Sequence, residues 1–66
     1  MQIRVNGSWQ DKTEAISVAE LLAALSLEPR RVAVERNKQI VRRVEYATTK
    51  LCDRDELEIV TLVGGG

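Results

Sequence analysis

Apolar and polar positions alternate toward both ends of the chain, and between them they recur at helical spacing. Met1, Ile3 and Val5 alternate with Gln2 and Arg4, which is the period of a half-buried strand. Asn6-Gly7 comes next. This pair readily takes the positive backbone dihedrals of a type I′ turn, so a hairpin into a second strand over Ser8 to Lys12 is predicted. Trp9 lies on that strand and reads as a large packing residue at the rim of the core. In "SVAELLAAL", Ser17 and Glu20 are spaced to cap each other's backbone amides at a helix start. Val18, Leu21, Leu22 and Leu25 then form one apolar stripe, and Pro29 stops the helix beyond Leu25 and Leu27.

"RRVAVER" alternates again, with Val32 and Val34 on one face and Ala33 and Glu35 on the other, and predicts a third strand. Asn37-Lys38 offers a turn into a short fourth strand around Ile40 and Val41, and residues 44 to 55 read as an irregular connection. In the final strand, "ELEIVTLV", Leu57, Ile59 and Thr61 share one face while Glu58, Val60 and Leu62 share the other. The order strand, strand, helix, strand, short strand, strand gives an α+β class. It predicts a β-grasp, ubiquitin-like roll in which a mixed sheet of about five strands packs on one helix. The first and last strands become parallel neighbours at the sheet centre, and the tail leaves extended. Residues 1–63 form the β-grasp domain, and 64–66 a flexible C-terminal glycine tail. With Leu57 and Ile59 toward the helix, Val60 and Leu62 stand on the uncovered side, either as an interaction patch or as ordinary scattered surface hydrophobicity.

Composition narrows the function. A chain of 66 residues makes one domain that buries only about 60% of its unfolded surface, which leaves no room for a large enclosed active site. The 44% hydrophobic and 30% charged residues are those of a globular protein. Ten basic residues balance ten acidic ones, so no overall field draws the chain to nucleic acid or an anionic membrane. The charges are nevertheless segregated. Arg30, Arg31, Arg36, Lys38, Arg42 and Arg43 face only Glu35 within one segment, and Asp53, Asp55, Glu56 and Glu58 outnumber Arg54 in another; this is either a dipolar surface or solvated strand edges and loops. With no histidine and one cysteine, the usual ligands of zinc, haem and iron–sulfur clusters are missing, and neither a metal site nor a bound cofactor is expected. Cys52 reads as a small packing residue, because the carboxylates in "KLCDRDE" disfavour a thiolate. "MQIRVNGSWQ" lacks the features of a secretory signal. The longest apolar run, "LLAAL", is far short of the ~20 residues that span a bilayer. A cytoplasmic location without membrane association is expected.

The sequence ends Gly64-Gly65-Gly66. Without Cβ atoms such a segment threads a channel too narrow for other residues. The α-carboxyl of Gly66, with a reference pKa of about 3.3 to 3.7, is ionised at neutral pH. Aligned by a partner enzyme, it can attack the α-phosphorus of ATP, and the resulting acyl adenylate can accept a sulfur or nitrogen nucleophile. The chain itself has no histidine, no Gly-rich phosphate loop and no nucleophile paired with a base, so a carrier rather than an enzyme is expected, with ATP and magnesium used by the partner. The competing reading is a β-grasp binding module with an inert tail that applies its Arg30 to Arg43 segment to RNA. Trp9 and Tyr46 as the sole aromatics argue against base stacking.

Several stretches together resemble the ThiS family, the sulfur carriers of thiamine biosynthesis: "MQIRVNG", "SVAELLAAL", "RVAVERN" followed by "IVRR", and "DELEIV" leading to "GGG". The resemblance implies that Gly66 is adenylated by an E1-like, ThiF-like enzyme and then converted to a thiocarboxylate. The sulfur would come from a cysteine-derived persulfide made by a cysteine desulfurase or other donor, and a ThiG-like thiazole synthase would take it for the thiazole ring. It assigns Gly64 and Gly65 to the tail, and Val60, Leu62 and Val63 to partner contacts. A carrier for molybdopterin or another sulfur-containing product, or a ubiquitin-like modifier, would share the tail chemistry. Two positions depart from the family pattern. Lys38 and Arg54 stand where glycine is common, and a positive φ at either would cost about 1 kcal/mol.

Overall fold

The computed structural model describes residues 1–62. The predicted glycine tail, Val63 and the proposed domain boundary lie outside the described residues. Strand β1 (Gln2–Val5) turns into β2 (Ser8–Asp11), followed by helix α1 (Val18–Ala24), β3 (Val32–Arg36), β4 (Gln39–Val41) and β5 (Glu56–Thr61), with 3-10 turns at Pro29–Arg31 and Arg43–Glu45. The five strands form one sheet in the order β2-β1-β5-β3-β4. β1 and β5 run parallel at its middle, and the other neighbours are antiparallel. The predicted β-grasp arrangement is therefore the observed one.

Both hairpins close through consecutive left-handed residues, Asn6 (φ 48°) with Gly7 (φ 86°), and Asn37 (φ 52°) with Lys38 (φ 70°). These are the backbone signs of the type I′ turn, whose twist matches that of the flanking strands. At the helix start, Ser17 Oγ accepts from Glu20 N–H at 3.1 Å and Glu20 Oε1 accepts from Ser17 N–H at 2.8 Å. The Ser17 N–H bonded to the carboxylate, and after it the Ser17 side chain beside it, hold the Glu20 carboxyl below its ordinary value. The first two amides of the helix, which have no intrahelical partner, donate instead to the carbonyls of Thr49 and Tyr46. The helix stops earlier than Pro29. Ser26 turns left-handed (φ 58°), and the Leu27 and Ser26 amides reach back to Leu22 and Ala23, the paired bonds of a Schellman closure.

The core lies between α1 and one face of the sheet. Ile3, Leu21, Leu22, Leu57, Val18 and Val34 are its most completely buried side chains, each worth about 1.5–3 kcal/mol relative to exposure. Ile3 and Val5, Val32 and Val34, and Leu57 and Ile59 all turn inward, as the alternation predicts. The connection between β4 and β5 contributes more than its irregular pattern suggests, because Tyr46 and Leu51 are both buried. Isolated apolar residues in a polar segment have no period to read.

Two expectations are corrected. Trp9 is not at the rim of the core but 49% exposed on the opposite face. It pairs in register with Arg4, and since Ile3 and Val5 point inward, Arg4 and Trp9 must point out. The Arg4 guanidinium lies 6.0 Å from the indole centroid. Cys52 is exposed rather than packed, and its Sγ accepts a long contact of 3.7 Å from Arg36 Nη2.

Candidate functional site

Strand β5 carries the chain from the centre of the sheet toward the glycines, so the side chains beside its exit make up the candidate site. Ile59 is buried, while Val60 is 58% and Leu62 56% exposed. Alternation thus sets Val60 on the face that α1 leaves uncovered. Leu62, one residue beyond the strand, keeps the ladder register, its N–H donating to the Arg31 carbonyl at 2.7 Å. Across the same face Val60 is opposed by Ala33 and Glu58 by Glu35, and Glu35 in turn by Ile40 of β4. Arg4, beside Glu56 in the parallel pairing, reaches that carboxylate at 3.4 Å. The open face is therefore a mosaic of exposed apolar side chains around a carboxylate centre.

Three polar side chains fix the path of β5 from behind. The Asn6 amide bridges both backbone groups of Ile59, accepting its N–H at 2.7 Å and donating to its carbonyl at 3.0 Å. The turn that joins β1 to β2 thereby extends the β1–β5 pairing to the residue before Val60. At the other end Asn37 accepts the Glu56 N–H at 2.9 Å. Beneath it Asp55, 5% exposed, receives Arg36 Nε and the Cys52 N–H at 2.8 Å on one oxygen and Asn37 Nδ2 at 3.0 Å on the other. Burial by itself would raise the Asp55 pKa. The hydrogen bonds from Cys52, Asn37 and Arg36 outweigh it and hold the carboxyl below its ordinary value. The same pairing raises the pKa of Arg36.

Of the residues singled out from sequence, Val60 and Leu62 come together on one face, whereas Val63, Gly64, Gly65 and Gly66 lie outside the described residues. Sequence reading missed Asn6 and Asp55 as anchors of β5. Asn6 was visible only as a turn former, and Asp55 only as one of four nearby acids. Among the described residues no group of three or more histidine, cysteine or carboxylate side chains is arranged to hold a metal. No helix among them is long and apolar enough to cross a membrane. The basic segment is partly committed internally, since Arg36 is bonded to Asp55.

A five-stranded β-grasp sheet with parallel first and last strands at its centre, packed on one helix, defines a ubiquitin-like protein. The comparisons with known proteins are more specific. The ThiS family model matches residues 3–66. The sulfur carrier protein ThiS of Bacillus subtilis is 45% identical over 67 aligned residues, covering 97% of this chain and 98% of that one. A thiazole synthase of Paramagnetospirillum magneticum is 41% identical over the whole chain, which spans only 20% of that protein's length. The crystal structure of the thiamine biosynthesis protein ThiS from Geobacter metallireducens superposes over the full length of both chains with a TM-score of 0.85 at 33% identity. This chain belongs to the ThiS family.

Proposed function

We propose that this protein is the sulfur carrier of thiamine biosynthesis and that the α-carboxylate of Gly66 is its reactive group. The carboxylate attacks the α-phosphorus of ATP, bound with magnesium on an E1-like adenylating partner, and pyrophosphate leaves. The terminal sulfur of a cysteine-derived persulfide then displaces AMP from the acyl carbon. A thiol cleaves the acyl disulfide, is itself oxidised to a disulfide, and releases the thiocarboxylate. A thiazole synthase takes that sulfur for the thiazole ring. Gly64 and Gly65 allow the tail to enter the partner's site, since a Cβ at either would widen it. Val60, Leu62 and Val63 form the apolar contact beside its entrance. The family match over residues 3–66, glycines included, carries this reading. The likeness to a thiazole synthase that contains a segment of this kind in its own chain supports that enzyme as the acceptor, because a tether raises the effective concentration of carrier at its site. Use of ATP and a persulfide donor suits the cytoplasm.

The test is intact and fragment mass spectrometry, first of the purified protein to verify the Gly66 terminus. It is repeated after incubation with ATP, magnesium, a ThiF-like enzyme and a persulfide donor. The expected product has one oxygen replaced by sulfur, assigned to Gly66 by fragmentation, because oxidation of Met1 or Cys52 gives nearly the same mass. An unmodified terminus, with an enzyme competent on another carrier, would overturn the proposal in favour of a binding module.

A further inference from the structure

Strand β5 loses its neighbour on one side before it reaches the glycines. The parallel pairing with β1 sets Arg4 beside Glu56 and Val5 beside Leu57, and the Asn6 N–H still donates to the Leu57 carbonyl at 2.9 Å. There the first strand turns away, because Asn6 is left-handed (φ 48°) and leads through Gly7 into β2. On its other side β5 stays paired with β3 as far as Val32 opposite Thr61, and the Leu62 N–H reaches the Arg31 carbonyl. The Asn6 side chain fills the gap that β1 leaves. Its Oδ1 accepts the Ile59 N–H at 2.7 Å and its Nδ2 donates to the Ile59 carbonyl at 3.0 Å. One side-chain amide thus supplies both the acceptor and the donor that a continued strand would have offered. Among the described residues it is the only side chain that hydrogen-bonds to the backbone of β5 beyond Glu56.

We propose that Asn6 is a positioning residue for the carrier reaction, and that by holding Ile59 from the side β1 has left it fixes the direction in which the chain departs toward Gly66. Glycines have no side chains with which to aim themselves. The line along which the tail meets the partner's channel is therefore set by the strand that precedes it. Held by β3 alone, the end of β5 can pivot about that single ladder. Residues 63 to 66 follow, and four residues span up to about 14 Å, so a small swing at Ile59 is enlarged at the terminus. A displacement of about 1 Å at a reacting group costs about 100-fold in rate. Asn6 narrows the search that the Gly66 carboxylate makes for the α-phosphorus of ATP. This role rests on the carrier reading, and it adds to it a residue of the folded body that acts on the terminus without touching it.

The test compares N6G with N37G. Asn37 holds the same first position in the second hairpin turn (φ 52°) and bonds to the opposite end of β5, accepting the Glu56 N–H. Glycine suits the positive φ of both turns, so each variant keeps its hairpin and loses the side-chain hold. Amide hydrogen exchange locates the loss. Exchange should quicken at least about tenfold at Ile59 in N6G and at Glu56 in N37G. Adenylation of Gly66 is then followed as ATP–pyrophosphate exchange on the adenylating enzyme with saturating carrier. Its kcat should fall about tenfold for N6G and match the parent's for N37G. A merely structural role would lower neither, because circular dichroism at the assay temperature checks that both are folded. N6D is a milder second variant, since Asp-Gly also forms the turn; it keeps the acceptor, loses the donor to the Ile59 carbonyl, and should have a kcat below the parent's. A parental kcat in either Asn6 variant overturns the proposal. So do equal losses in N6G and N37G, which would mean general loosening of β5, and so does unchanged exchange at Ile59 in N6G. Each of these leaves the carrier reading standing, because the parent still reacts. A parent left unmodified by an enzyme competent on another carrier refutes that reading instead, and the positioning role falls with it.

Discussion

Lys38 and Arg54 hold left-handed backbone at φ 70° and 74°, where a side chain costs about 1 kcal/mol and glycine costs almost nothing. K38G and R54G should therefore each stabilise the protein by up to about 0.6 kcal/mol after allowing for the greater freedom of glycine in the unfolded chain. Urea denaturation of the two single variants checks this, and an unchanged midpoint would mean that contacts of the native side chains offset the strain. Asp55 works in the opposite sense. Its folded pKa lies below the unfolded value, so the unfolded chain binds the proton more readily. The stability it contributes is complete above the ordinary carboxylate value of about 3.9 and is lost as pH falls through the lower folded pKa. D55N should lose about 2–3 kcal/mol at neutral pH, and its stability should vary less with pH below 4 than the parent's. The two strained positions are legible against the family pattern, because a missing glycine is visible in the sequence. Asp55 is not, because nothing in "CDRDE" distinguishes it from Asp53 until folding brings Arg36 and Asn37 against it.

At the scale of elements, legibility follows the range of the interaction. The helix start could be read because Ser17 and Glu20 are three residues apart and cap each other. The helix end was misplaced because Ser26 adopts a conformation usually left to glycine, so the closure carries no sequence signal. Strand faces were legible in β5, where Leu57 and Ile59 are buried and Val60 is exposed. In β2 the solitary Trp9 misled, because hydrophobicity suggested burial while register with Arg4 dictated exposure. The face assignment makes V60K informative. It replaces exposed apolar area with a charge, so docking to the adenylating enzyme should weaken about tenfold. The thermal midpoint should stay within about 2 °C, as expected for an exposed site. Unfolding by V60K would show that the strand presents the opposite face.

For the whole molecule, the proposed carrier role assigns folding to the body and reaction to Gly66. Deleting Gly66, or adding one residue after it, should abolish thiocarboxylate formation in the mass-spectrometric assay. Circular dichroism and the thermal midpoint should not change, because among the described residues the core is built from residues no later than Ile59. Loss of folding in either variant would place the tail within the structural unit. The sequence by itself determined the order of elements, the hairpin turns, the helix cap and the inward faces of the strands, since each depends on residues close together in the chain. Its motifs also carried the resemblance to a sulfur-carrier family, which the family match bears out. Only the tertiary structure decided which polar residues clamp β5, how Tyr46 and Leu51 complete the core, and that Glu35 and Glu58 oppose each other across the β3–β5 pairing. Those depend on strand register, which pairs residues far apart in sequence and leaves no local pattern from which the partners can be read.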